Sequence, residues 1–188
     1  MFTRLIPYFV ILNLLIVLSG CATTHPVQTT PPARIGLQLA PATLGQSLNL
    51  QQHLTVARAG HIYNLDTVLQ IDPQQLDLVG LALGQRVMTL HYDGKTLQTW
   101  RYPRLPSQVS GENVLEDIEL TLWPAHAIRQ ALPAGWSIID SHKRRTILLN
   151  NIPVVIIDYS SSGRRWGSKV VLTNLRYHYQ LTIQSVAI

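Results

Sequence analysis

Hydrophobic and polar residues alternate in short runs along most of this chain, the period of strands rather than helices. In residues 62–71, Leu65, Thr67, Leu69 and Ile71 share one parity, Asn64, Asp66 and Gln70 take the other, and Asp72-Pro73 ends the run. Residues 54–57 are a shorter strand candidate, and 76–83 is an almost continuous apolar run. Residues 87–92 and 96–102 flank Asp93-Gly94, the strongest hairpin signal in the chain. This half predicts a meander of four or five antiparallel strands.

The period then changes. Asn113 has the character of a helix cap, with Glu116 three residues on to complete a capping box. Leu115, Ile118 and Leu122 keep helical spacing, with Glu116, Asp117 and Glu119 between them, early enough for the helix dipole to favour the acids. Pro124 forces a break, and residues 125–132 predict a second short helix stopped by Pro133 and Gly135. Strand patterns return at 136–140, 146–149, 154–159, 169–173 and 177–186. In the last, Tyr177, Tyr179, Leu181 and Ile183 alternate with His178, Gln180, Thr182 and Gln184, which predicts burial of one face.

The fold class that follows is mainly β with a helical insertion (α+β). A helix inside an antiparallel sheet must bury its apolar stripe, and the concave side of a curved sheet is the economical place. That suggests an incomplete antiparallel barrel, a half-barrel with helices plugging the concave side. The inward parity then nominates Leu65, Leu69, Ile71, Leu90, Ile118, Tyr179, Leu181 and Ile183 as its lining. A one-residue slip in register would exchange the faces.

The N-terminus adds an address. Arg4 precedes an apolar run over residues 5–18, shorter than the roughly 20 residues of a membrane-spanning helix. Leu18-Ser19-Gly20-Cys21 then matches a lipobox, so residues 1–20 read as a signal peptide and Cys21 as the lipidated first residue of the mature chain. Cys21 is the single cysteine, which excludes an internal disulfide. A diacylglyceryl thioether and a third, palmitate-type chain on its amine give stable anchoring, at about 0.8 kcal/mol per buried methylene. Ala22, in place of aspartate, suggests sorting to the periplasmic face of the outer membrane. Residues 21–35, with Pro26, Pro31 and Pro32, read as a flexible tether, and 36–188 as a single domain.

Composition changes little. Only 13% of residues are charged, about half the usual share, which leaves apolar surface for a ligand or membrane as one explanation and a plain β-rich core as the other. The net charge of +5 falls to +4 without Arg4 and is concentrated in Lys143-Arg144-Arg145, Arg164-Arg165 and Lys169. An exported protein of this modest charge is not expected to bind nucleic acid. Trp100, Trp123, Trp136 and Trp166 fit a cavity wall, a packed core or a lipid head-group level.

Catalytic signatures are missing. There is no Gly-x-Ser-x-Gly elbow, no His-Glu-x-x-His pair and no glycine-rich phosphate loop. The seven histidines are scattered, and Ser160-Ser161-Ser162-Gly163 after Asp158 has the composition of a turn. Asp140 and Asp158 each have basic neighbours in sequence. No enzyme activity, metal or other cofactor is expected.

In organisation the chain resembles the LolB family of outer-membrane lipoproteins. The residues that carry the likeness are the lipobox, Leu76-Asp77-Leu78-Val79-Gly80-Leu81-Ala82-Leu83-Gly84 running into Val87-Met88-Thr89-Leu90, the hairpin to Leu97-Gln98-Thr99-Trp100, the helix over 124–132, and Leu132-Pro133-Ala134-Gly135-Trp136. More closely it resembles uncharacterised LolB-like lipoproteins, a domain of unknown function often associated with aryl-polyene lipid clusters. The likeness implies a half-barrel with an apolar cavity for acyl chains, a lipid or lipoprotein acyl client, and a periplasmic LolA-like carrier as partner. LolB-type proteins insert their clients through an exposed apolar residue on a protruding loop. The matching stretch here, Asp72-Pro73-Gln74-Gln75-Leu76, offers only Leu76, which can equally start a strand. Two functions are therefore expected: lipid binding or transfer in an apolar cavity, or a non-enzymatic envelope scaffold with a filled core.

Overall fold

The computed structural model describes residues 34–106, 109–161, 163–167 and 169–188. The leader, Cys21 and nearly all of the tether lie outside them. Ten strands form one open antiparallel sheet: β1 (Leu48–Arg58), β2 (His61–Ile71), β3 (Leu76–Ala82), β4 (Gln85–Tyr92), β5 (Leu97–Arg101), β6 (Trp136–Asp140), β7 (Arg144–Leu149), β8 (Ile152–Tyr159), β9 (Val170–Asn174) and β10 (Tyr179–Ala187). Their order is β5-β4-β3-β2-β1-β10-β9-β8-β7-β6. Two five-stranded meanders are thus joined where the last strand returns to the first, from Leu50 opposite Ala187 to Arg58 opposite Tyr179. The open edges are β5 and β6, and the helices α1 (Gly111–Leu122) and α2 (Ala125–Ala131) connect them.

That connection shows how the sheet is bent. Ten flat strands would span about 43 Å, against a helix diameter of roughly 10–12 Å. Yet α1 meets strands from both wings. At its start, a Cβ on Gly111 would stand 2.0 Å from Thr99 Cγ2 of β5, so only glycine fits. Further along, Arg145 of β7 donates to the Leu120 carbonyl, Tyr159 Oη of β8 donates to the Thr121 carbonyl at 2.9 Å, and Tyr179 of β10 donates to Asp117. A sheet that touches one helix from β5, β7, β8 and β10 must curl around it.

The strand pattern was readable, with shifts at the ends. β1 is an 11-residue strand where only residues 54–57 looked extended. Tyr177 sits in the turn before β10 rather than in the strand. The expected capping box does not form: Ser110 caps α1, accepting from the Asn113 amide at 3.3 Å, and Glu116 is turned inward to Arg176. Leu76 starts β3 and is fully buried, so it is not an exposed loop residue. Pro124 breaks the helix as expected and stands at the cap of α2.

Ile35, read as the last residue of the tether, is buried. It begins a run in which Ile35, Leu37 and Leu39 are buried and Gly36, Gln38 and Ala40 are exposed, followed by a short 3-10 turn at Pro41–Leu44. We call residues 35–44 the strap. It has strand-like alternation without a strand partner among the described residues. Its Gly36 and Leu39 amides instead donate to Glu116 Oε2 at 3.1 Å and Glu119 Oε1 at 2.7 Å on α1.

Candidate functional site

Seven of the eight nominated lining residues are together in or against one core, which the structure fills. Leu69, Ile71, Leu90 and Ile183 are buried in it, and Ile118, Tyr179 and Leu181 pack against it half-buried. Leu65 is half-buried beside Leu54 in the β1–β2 register, and its parity is that of Leu69 and Ile71. Trp123 is fully buried at the foot of α1, its indole N–H donating to Thr43 Oγ1 of the strap at 2.9 Å. The inner wall is therefore covered by α1, Trp123 and the strap.

The acids on α1 are the surprise of this interior. A stripe at helical spacing ordinarily leaves the charges between it in water. Here both the sheet and the strap cover the helix, so Glu116 and Glu119 are buried with the leucines. Glu116 pairs with the buried Arg176, whose guanidinium also stacks over Trp136 and Tyr177 at 5.5 and 5.0 Å. Burial pushes the Asp117 carboxyl up to about 7, against the hydrogen bond from Tyr179 that holds it down. Burial likewise pushes Glu119 up to about 8, opposed by the Leu39 amide and assisted by the Glu116 charge. Two of these carboxyls are thus stable in neutral form near physiological pH.

The unusual surface lies at one end of the sheet. Antiparallel order brings four turns to that end: β1–β2, β3–β4, β7–β8 and β9–β10. All the non-glycine residues with positive φ among the described residues are in them: Ala59, Leu83, Asn150, Asn151 and His178. Two-residue hairpins need φ > 0 at both positions, which asparagine and glycine supply at little cost. Asn150-Asn151 follows that rule. Ala59-Gly60 and Leu83-Gly84 do not at their first position, where a side chain with Cβ costs roughly 1–2 kcal/mol. Leu83, at φ 50°, is also completely exposed, at 102% of its reference area.

Leu83 has apolar company. Ile62 and Ile152 are 69% and 66% exposed beside the β1–β2 and β7–β8 turns, and Leu175 is exposed in the β9–β10 turn. Tyr63, Trp100 and Tyr102 are exposed near the same end, with Arg86 stacked over Trp100 at 5.2 Å. An open hollow of about 470 Å3 lies between the β1–β2 and β9–β10 turns, with Ile62, Leu175, Arg58, His61 and Tyr179 in its wall. Parity counting missed this rim because its residues are turn tips and strand ends, where alternation carries no information. The one sequence signal was Leu83-Gly84, a leucine where a turn asks for asparagine.

The residues weighed for chemistry are engaged in contacts with their neighbours. Asp158 forms a two-pronged pair with Arg144, at 2.6 and 3.0 Å, and Asp140 bridges Arg145 and Arg165, at 2.9 and 2.7 Å. Ser160 Oγ donates to the Lys169 carbonyl at 2.7 Å, a turn contact, and Ser161 Oγ accepts from the Gly163 amide at 3.2 Å. His91 and His53 pair with Asp77 and Asp66, each at 2.8 Å, on the strands. Of the tryptophans, Trp123 is core, Trp136 and Trp166 pack against it, and Trp100 belongs to the rim.

Residues 49–187 match the family model described as protein of unknown function DUF3261. No curated protein matches the chain. Among solved structures, a DUF1329 family protein from Desulfovibrio piger aligns over 84% of this chain and 92% of its own, at 13% identity and a TM-score of 0.30. A likeness that loose bears on neither fold nor function.

Proposed function

The chain belongs to the DUF3261 family of proteins of unknown function, and from that premise we propose that it is a lipid-anchored envelope protein that engages lipid through the turn-end rim. The reading is of the LolB kind: a curled sheet held to the outer membrane by acylated Cys21, taking an acyl chain of a lipid or lipoprotein client, from a periplasmic LolA-like carrier, without covalent chemistry.

One observation carries it. Leu83 combines a strained backbone with complete exposure of an aliphatic side chain, two costs that folding alone gives no reason to accept. Entry of Leu83 into an acyl region recovers roughly 1.5–3 kcal/mol for the one side chain. Ile62, Ile152 and Leu175 add to the apolar area, and Arg58 and Arg86 supply cations at head-group depth.

The test is flotation of the full chain carrying Cys21→Ser, which has no acyl group of its own, with phosphatidylglycerol-containing vesicles. Leu83→Asp is expected to lower vesicle affinity at least tenfold with a melting temperature no lower than that of the parent. Equal flotation of both proteins refutes the rim. The covered inner wall favours the second reading, a scaffold with a filled core, and the absence of any vesicle or fatty-acid binding would establish it in place of the first.

A further inference from the structure

We propose that the strap is a built-in stand-in for a lipid tail: the trough it fills, bordered by α1 and the β4–β5 turn, is the binding site for a single aliphatic chain ending in a carboxyl or hydroxyl group, and the strap leaves as that chain enters. This rests on the lipid reading above and locates the chain within it.

Three features of the strap support displacement. Its buried side is a row of three aliphatic side chains, Ile35, Leu37 and Leu39, on a backbone that bends at Gly36 (φ 68°), with the apolar chemistry of a hydrocarbon tail. Its backbone is not woven into the sheet. It is fixed by side-chain groups of α1: Glu116 and Glu119 accept the two amides, Arg34 Nε stands 3.8 Å from Glu116 Oε2, and the Trp123 indole donates to Thr43, all of which can let go without opening any strand ladder. At its far end it turns across Gly94, where an added Cβ would stand 3.1 Å from Pro41 Cδ, so the strap lies against the hairpin without bonding to it.

The floor of the trough holds polar groups that the strap does not use. Glu119 Oε2 and Tyr92 Oη are buried without a hydrogen-bond partner among the described residues, and Glu119 is near enough to add to the upward push on the Tyr92 phenol. Unsatisfied buried polar atoms are costly. A terminal hydroxyl or protonated carboxyl brings both a donor and an acceptor to these atoms, and a carboxylate brings acceptors for the Tyr92 hydroxyl and neutral Glu119, which the leucines of the strap cannot. Because burial favours the neutral form of Glu119, the site does not repel an incoming carboxylate as an ionised pair would.

The full chain carrying Cys21→Ser is the reagent and cis-parinaric acid the probe. Backbone amide exchange over residues 35–44 is followed by mass spectrometry with and without saturating probe. The expected result is saturable binding that accelerates exchange of the Gly36 and Leu39 amides at least tenfold. Leu37→Asp/Leu39→Asp, which frees the trough, should bind the probe at least tenfold more tightly. Should that variant fail to fold, the exchange of the unsubstituted chain decides alone. Binding with strap protection unchanged overturns the strap and leaves the rim reading intact. If neither the unsubstituted chain nor a natively melting variant binds the probe, the trough is refuted while vesicle flotation still judges the rim.

Discussion

The two ends of the sheet solve the same problem in opposite ways. At the end away from the rim, three turns are held by a side chain suited to them, as Asn174 holds the β9–β10 turn of the rim by accepting from the Arg176 and Tyr177 amides at 3.1 Å. Asp72 Oδ1 accepts from the Gln74 and Gln75 amides at 2.7 and 2.9 Å, Asp93 Oδ1 from Lys95 and Thr96 at 2.9 and 2.7 Å, and Ser141 Oγ from Arg144 at 3.0 Å. Those local bonds offset the loss of chain entropy and hold the Asp93 carboxyl below its usual range. The rim has Ala59 and Leu83 in left-handed conformation and aliphatic tips in water. A fold under pressure for stability alone would treat both ends like the first. Ile139, Val186 and Ile188 are exposed at the other end as well, so what marks the rim is an exposed aliphatic side chain on a left-handed backbone at Leu83.

The largest effect should come from the charged end. Arg145 is fully buried, holds Asp140 and donates to the Leu120 carbonyl, so it ties β7 and β6 to α1. Arg145→Ala leaves Asp140 with only Arg165 and a helix carbonyl without its donor. Removing one partner of a buried pair costs about 3–5 kcal/mol. Denaturant melts should show a loss of that size, and the rim's vesicle affinity, measured on the fraction still folded, should not change. A loss below 1 kcal/mol would erase the structural half of the contrast.

Next in size is a pH effect from the interior. The folded-state values of Glu119 and Asp117 are raised to about 8 and about 7, so between their ordinary values and these the folded state holds more protons than the unfolded chain. Stability must therefore be highest in mild acid and fall as pH rises through neutrality to about 8, the opposite slope to that of a salt-bridged carboxylate. The charged and titratable groups around them are Glu116, Arg34, Arg176, Tyr179 and Tyr92. From pH 6 to 8 the fall should be about 3–4 kcal/mol. Glu119→Gln keeps an acceptor for the Leu39 amide and should flatten the slope. A slope unchanged in that variant excludes Glu119 as its source.

How much of this was legible in the sequence follows from where periodicity carries information. Inside strands it does: Leu69, Ile71, Leu90 and Ile183 are buried as their parity requires. It fails where a segment is covered by more than one element. Glu116 and Glu119 look like a wet face because helical spacing cannot show that the strap amides pack onto them. The strap itself was hidden by its neighbours: Gly36, Pro41 and Gly45 read as loop, although Ile35, Leu37 and Leu39 alternate as a strand does. The cap falls at Ser110 rather than at Asn113, so the helix starts earlier, with Gly111 packed where a Cβ would meet Thr99.

The smallest effect sharpens the comparison most. Asparagine tolerates the left-handed conformation far better than leucine or alanine. Ala59→Asn and Leu83→Asn place it at equivalent first positions of two hairpins at the same end. Both should stabilise the fold by about 0.5–1 kcal/mol, since each relieves the same backbone cost. Only the second removes an aliphatic tip. Vesicle affinity should therefore survive Ala59→Asn and fall at least tenfold in Leu83→Asn, a more stable protein that binds less well. That pairing separates strain from contact, because a general loosening of the rim cannot weaken binding while raising the melting temperature. If Leu83→Asn gains stability and keeps its affinity, the leucine is an unimproved turn and nothing more, and the rim must be sought in Ile62, Ile152 and Leu175 alone.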